Sequence, residues 1–325
     1  MDRAIEVRGL TKQYGRVLAV DHIDFDVQEG EVFGFLGPNG AGKTTTIRML
    51  TGLSKPTAGS ARVLGHDVIG EIVKAKAGFG VVPELSNMYD ELTGFENLIF
   101  MGQLYGVPRS DRPTRAEDLL RVFGLYERKD SQFASYSRGM KRALTIAAAL
   151  VHKPRLLFLD EPTVGLDVMV ARTLRAMLQR LSKEGMTIFL TTHYLEEADL
   201  LCDRIAILVK GKVMAIETPA KLKAMVEEES AIEVLWNAPL PQAAEELSQR
   251  FTTLRFAKVD GGVRAYGGSP TQLLQAILQY ARDNQIEVAA VNSIRPSLED
   301  AFIKLTGLSP LVMVAEKGGR QNVGK

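Results

Sequence analysis

At 325 residues the chain can form one large domain with a smaller one, or two domains of ordinary size. Hydrophobic residues at 46% and charged residues at 24% make an ordinary globular mixture. Forty basic against 39 acidic side chains leave no global field to draw in nucleic acid or anionic lipid. The single cysteine, Cys202, excludes an internal disulfide framework and fits a reducing compartment. The opening Met1–Val7 lacks a signal peptide's apolar stretch, so no targeting segment is expected. Apolar runs such as Ile146–Val151 fall far short of the roughly 20 residues that span a bilayer.

In chain order, short β segments are expected at Ile5–Val7, Leu18–Val20 and Ile23–Val27, where apolar positions alternate. The run Val32–Leu36 reads as a buried strand, followed by a glycine-rich turn and a helix over Thr44–Thr51. From Leu92 to Leu150 the pattern is mainly helical, with breaks expected at Pro108, Pro113 and Gly124. Strand signals return at Leu156–Leu159, Thr187–Leu190 and Ile205–Val209, and Lys210–Lys212 turns into Val213–Ile216. Apolar strands with helices between them predict a parallel sheet carrying a mostly helical insertion.

A second unit is expected after Pro219 and a charged helix ending in Glu227–Ser230. Its order is β-α-β-β-α-β, that of a small two-layer α+β domain. The strands are Ile232–Leu235, a hairpin turning at Asp260–Gly262, and Glu287–Val291. The helices are Gln242–Phe251 and Pro270–Asp283, with a closing helix over Ser297–Leu305. The tail from Ser309 reads as loose.

Two stretches carry chemistry. Gly37-Pro38-Asn39-Gly40-Ala41-Gly42-Lys43-Thr44-Thr45 fits G-x-x-x-x-G-K-[ST] between a strand and a helix start. There the glycines let backbone N–H groups converge on phosphates, at the positive end of the helix. Lys43 is expected to bridge β- and γ-phosphates, and the Thr44 hydroxyl to ligate Mg²⁺. Downstream, the apolar strand Leu156–Leu159 ends in Asp160 and Glu161. Beside a phosphate loop, Asp160 can lie near the metal, and Glu161 can orient or deprotonate a water.

With these motifs in order, residues 3–220 resemble the nucleotide-binding subunit of an ATP-binding-cassette (ABC) transporter. Tyr14 stands where that family has an aromatic residue stacked on adenine. Ser137-Arg138-Gly139-Met140 matches its signature, usually Leu-Ser-Gly-Gly-Gln. Gly165-Leu166-Asp167 resembles its dimer-crossing loop, and His193 its γ-phosphate switch histidine. The family's glutamine aligns with Glu84, which can bind Mg²⁺ or its water but cannot donate an amide hydrogen bond. Arg138 replaces the first signature glycine, and tolerance is expected there.

The resemblance implies a P-loop NTPase cassette over residues 1–222, with a mixed sheet core and a helical subdomain at about 85–150. An accessory α+β domain at 223–308 and a flexible tail at 309–325 would follow. It further implies ATP and Mg²⁺ as cofactors, and Ser137 and Gly139 acting on a second copy's nucleotide in a homodimer. The segment Leu85–Tyr105 would receive a separate integral-membrane permease, so the chain would sit at the cytoplasmic face of the membrane. The short span from Lys43 to Ser137 leaves no room for the long coiled coil of the superfamily's repair ATPases, and its translation factors normally carry two cassettes rather than one. The ending Pro296–Gly307 and the Tyr136-Ser137-x-Gly139-Met140 signature form resemble drug-resistance and sodium-efflux exporters of the ABC-2 type. The alternative is an ABC-type ATPase that remodels a nucleic-acid or protein complex without a permease. Near-neutral charge disfavours it, and no nucleic-acid partner is expected.

Overall fold

The computed structural model describes residues 2–226, 231–237, 240, 242–294, 296–308 and 313. They form two compact units, one built on residues up to Pro219, the other on Ala220–Lys304.

In the first unit, β1 (Arg3–Tyr14) and β2 (Val17–Gln28) pair antiparallel around a turn at Gly15. The short expected segments are parts of these longer strands. Ile5, Val7, Leu10, Ile23, Phe25 and Val27 are all buried, and register shifts between Val7 and Leu10 keep the apolar side chains inward. Next come β3 (Val32–Leu36), α1 (Lys43–Leu50), β4 (Ala58–Val63), β5 (His66–Asp67), α2 (Ile72–Lys76) and β6 (Phe79–Val82). The first sheet is ordered β2-β1-β4-β5. Sequence reading passed over β4 because only Ala61 and Val63 of it are buried, too weak an alternation to register.

The helical stretch holds α3 (Gly94–Leu104), α4 (Arg112–Val122) and α5 (Arg138–Leu150). Pro113 was expected to break a helix and instead starts one. It lies in the first turn of α4, where a missing N–H costs nothing. Gly124, with φ near 66°, follows the end of that helix. Leu98 is core, whereas Leu85 and Tyr89 are exposed.

Beyond it, β7 (Leu156–Asp160), α6 (Val168–Lys183), β8 (Thr187–Thr192), α7 (Leu195–Leu201), β9 (Arg204–Val209) and β10 (Lys212–Glu217) complete the larger sheet. Its order is β10-β9-β3-β8-β7-β6, with every neighbouring pair parallel except β10–β9. The parallel run expected from the strand–helix alternation thus carries an antiparallel edge at the Lys210–Lys212 turn, giving the mixed sheet core that the family resemblance implied. Every residue of β3, β7 and β8 is buried, as continuous apolar runs require when both faces are covered. Phe25, Phe33, Phe35, Phe158 and Phe189 pack together, with Phe35 and Phe189 centroids 5.4 Å apart. Each such side chain stabilises the fold by about 1.5–3 kcal/mol.

After α8 (Pro219–Ala224), the second unit runs β11 (Ala231–Trp236), α9 (Ala243–Arg250), β12 (Arg255–Val259), β13 (Gly262–Tyr266), α10 (Pro270–Asp283), β14 (Val288–Ile294) and α11 (Leu298–Thr306). Its antiparallel sheet is ordered β12-β13-β11-β14. One face packs Val234, Trp236, Val263 and Ala265 against Leu247, Leu273 and Ile277 of α9 and α10. Ser269 and Gln272 form a capping box that fixes the start of α10. Glu227–Ser230 and, apart from Met313, the tail from Ser309 lie outside the described residues.

Candidate active site

Parallel pairing decides where the chemistry gathers. β3, β6, β7 and β8 all end on one edge of the sheet, with Leu36 beside Thr192 and Thr191 beside Asp160. The segments leaving those ends are the glycine-rich loop, Pro83-Glu84, Glu161 and His193. In open α/β sheets this carboxyl edge is where ligands bind.

A cavity of about 780 Å³ opens there. Its lining includes Pro38, Asn39, Gly40, Gly42, Lys43, Thr44, Thr45, Glu84, Glu161 and His193. Two loop glycines are required sterically. A Cβ on Gly37 would meet the Leu208 carbonyl oxygen at 2.2 Å. Gly42 has φ near +109°, and a Cβ there would meet the Ala19 carbonyl oxygen at 2.5 Å. Gly42 is also the N-cap of α1 and supplies no side-chain hydrogen bond, so the first-turn amides are left for a ligand. Ser137, Asp167 and Thr93 do cap their helices.

At the cavity floor the side chains of Lys43, Glu161 and His193 join. Lys43 Nζ lies 3.0 Å from Glu161 Oε1, and His193 Nδ1 lies 2.9 Å from Glu161 Oε2. Lys43 also donates to the carbonyls of Gly37 at 2.5 Å and Pro38 at 3.3 Å. Beside them, Asp160 Oδ1 accepts hydrogen bonds from Thr191 Oγ1 at 2.6 Å and Thr44 Oγ1 at 3.3 Å. The neighbouring carboxylates are pushed in opposite directions. Burial raises Asp160 above its ordinary value, only partly opposed by Thr191 and Thr44. Burial would raise Glu161 too, but the His193 hydrogen bond and Lys43 charge outweigh it and hold Glu161 low. Glu161 is thus kept as a carboxylate at the cavity wall, which a proton acceptor requires.

The remaining residues singled out in the sequence are spread more widely. Glu84 is exposed and lines the cavity. Ala41 is buried within the loop. Tyr14 is 46% exposed, lies outside the cavity lining, and has its ring under Lys12 Nζ at 4.8 Å. Ser137 and Gly139 sit at the start of α5 and are not among the residues lining this cavity, with Ser137 exposed. Arg138 donates from Nη1 to the Gly165 carbonyl at 2.8 Å, tying the signature to a loop that lines the cavity.

Sequence reading missed Arg142 and Glu197. Arg142 lies on the buried face of α5 among Thr145, Ile146 and Ala149, with its guanidinium against the ends of β6 and β7. Burial pushes it down to about 10, so it stays charged at neutral pH. A cation on an otherwise apolar helical stripe was the available signal. Glu197 is a buried carboxylate on α7, raised by burial and close to Thr192 and Thr163.

The fold and the site together define a P-loop ATPase built as an ABC cassette. Residues 20–164 match the family model described as ABC transporter. The chain is 40% identical to the daunorubicin/doxorubicin resistance ATP-binding protein DrrA of Streptomyces peucetius, over 94% of this chain and 93% of that one. Linearmycin resistance ATP-binding protein LnrL of Bacillus subtilis is 35% identical, over 93% and 98% respectively. Nod factor export ATP-binding protein I of Mesorhizobium japonicum is 33% identical, over 98% and 85%. A solved ATP-binding subunit of an ABC transporter superposes with a TM-score of 0.63 at 32% identity, covering 68% of this chain and 92% of that one. The dimeric cassette MJ0796 bound to ADP and phosphate gives 0.60 at 25% identity, covering 66% and 98%. The chain belongs to the ATP-binding proteins of ABC transporters, and the relatives it matches along most of its length are named for drug resistance and for Nod factor export.

Proposed function

We propose that this chain is the motor of an ABC exporter: it binds Mg-ATP in the cavity at the start of α1, two copies close head-to-tail on the nucleotide, and hydrolysis through Glu161 drives a separate membrane permease. The observation that carries the reading is the joined line Lys43–Glu161–His193, at 3.0 and 2.9 Å, beside an α1 start without a side-chain cap. It supplies a cation for phosphate, a carboxylate for water, and a histidine that holds the carboxylate in place.

In this reading the amides of residues 40–45 receive the phosphates, and Lys43 exchanges its carbonyl partners for β- and γ-phosphate oxygens. Glu161 accepts the proton of the attacking water, while His193 orients it and reaches the γ-phosphate. Thr44 and Asp160 suit Mg²⁺: they are two hard oxygen donors 3.3 Å apart, leaving room for the waters and phosphate oxygens that this ion keeps. Among the described residues no cluster of three or more acidic, His or Cys side chains would hold a metal without the nucleotide. When bound, Mg²⁺ neutralises charge on the phosphates. Tyr14 stacks on adenine, and Glu84 links the metal site to the permease-facing segment.

Ser137 and Gly139 complete the other copy's site, since their placement at the exposed start of α5 leaves them free of the cavity in their own chain. No helix among the described residues is long and apolar enough to cross a membrane, so the transport path belongs to the permease. The chain docks at the permease's cytoplasmic face, and residues 223–308 serve as its accessory domain. Glu161→Gln tests the catalytic assignment. It is expected to lower ATP turnover by roughly 10²-fold or more while ATP affinity stays near wild type. Turnover within a few-fold of wild type would remove Glu161 as the base.

A further inference from the structure

Glu161 occupies a conformation that non-glycine residues rarely adopt, with φ near +49°. Such a geometry persists only where the surroundings over-determine it. On one side, the Glu161 N–H donates to the Thr191 carbonyl and to Thr191 Oγ1, both at 3.1 Å. On the other stands Arg142. Its Nε donates to the Pro162 carbonyl at 2.9 Å, and Nη2 to the carbonyls of Asp160 at 3.0 Å and Glu161 at 3.1 Å. Nη1 donates to the Pro83 carbonyl and reaches that of Glu84 at 3.5 Å. One planar cation therefore gathers three consecutive carbonyls around the bend and two from the adjacent strand end. Only a guanidinium has the rigid array of donors to do this; an ammonium is a point charge.

We propose that Arg142 is a positioning residue for hydrolysis, pinning the left-handed bend at Glu161 and the Pro83-Glu84 segment in the arrangement that aims the Glu161 carboxylate into the cavity. The proposal rests on reading Glu161 as the base. Arg142 bonds only backbone carbonyls here and lies outside the cavity lining, so its loss leaves the phosphate-binding loop in place. Turnover should therefore suffer while nucleotide binding does not.

The test measures kcat, KM for ATP, equilibrium ATP affinity and thermal melting of the full chain for Arg142→Lys, Arg142→Gln and Glu161→Gln. Arg142→Lys keeps the buried charge and is expected to lower kcat by about tenfold or more, since small misplacements of a reacting group cost that much. KM and ATP affinity should stay within about twofold. Arg142→Gln should lower kcat further with the same split; if it fails to fold, Arg142→Lys decides alone. Unchanged kcat in Arg142→Lys, or parallel loss of kcat and ATP affinity, would overturn the proposal. Glu161→Gln separates the two readings. If it stays active, the base assignment fails; if it is inactive while Arg142→Lys keeps full kcat, only the positioning role fails.

Discussion

Asp160 and Glu161 are chain neighbours at one strand end, yet their surroundings push their proton affinities apart. The sign of each effect sets a stability prediction. Asp160 is raised by burial, so its charged form costs stability at neutral pH. Neutralising it should raise the melting temperature of the nucleotide-free protein, even as it weakens Mg²⁺-dependent turnover. For Asp160→Asn an increase of roughly 1–4 °C at pH 7 is expected by scanning calorimetry. Glu161 is depressed by His193 and Lys43 against the pull of burial, so its contribution is present above the ordinary Glu range and lost as pH falls through its lower folded value. Glu161→Gln should therefore lower the same melting temperature at pH 7. Shifts of equal sign in the two variants would show that these electrostatics are misassigned. Asp160, Glu161 and the loop were legible in the sequence because each is a local run of residues following a strand. Arg142 was not, because its partners lie about 20 and 60 positions away and only the fold brings them to it.

Element boundaries show the same division between local and distant causes. The Ser269 capping box and the Pro270–Asp283 helix could be read directly, since cap, proline and stripe all lie within one segment. Pro113 could not be assigned, because a proline ends or starts a helix according to what precedes it, and here α3 has already ended at Leu104. The glycine-rich loop depends on its neighbours in space as well as its own composition. Gly42→Ala places a Cβ against the Ala19 carbonyl at 2.5 Å on a backbone with φ near +109°. The expected outcome is a fall in ATP affinity of at least tenfold, measured by fluorescent-nucleotide titration, as the α1 amides shift. In the core, Phe189→Ala should destabilise the fold by about 3–5 kcal/mol in chemical denaturation, because Phe189 touches rings from β2, β3 and β7.

Across the whole molecule, the two compact units have hydrophobic cores of their own. A fragment spanning residues 220–304 is expected to melt cooperatively when expressed alone, and non-cooperative unfolding would count against an independent domain. The order of motifs around the loop gave the family from sequence, whereas the edge shared by β3, β6, β7 and β8 shows how those motifs become one site. In the proposed reading that site is completed by a second copy: Lys43, Glu161 and His193 line the cavity, whereas Ser137 and Gly139 are not among its lining residues. The most direct measurement is the mass of Glu161→Gln by sedimentation with and without Mg-ATP. A monomer that becomes a dimer on adding saturating Mg-ATP, and returns to monomer when the nucleotide is removed, is the expected result. A chain that remains monomeric with ATP bound would contradict it.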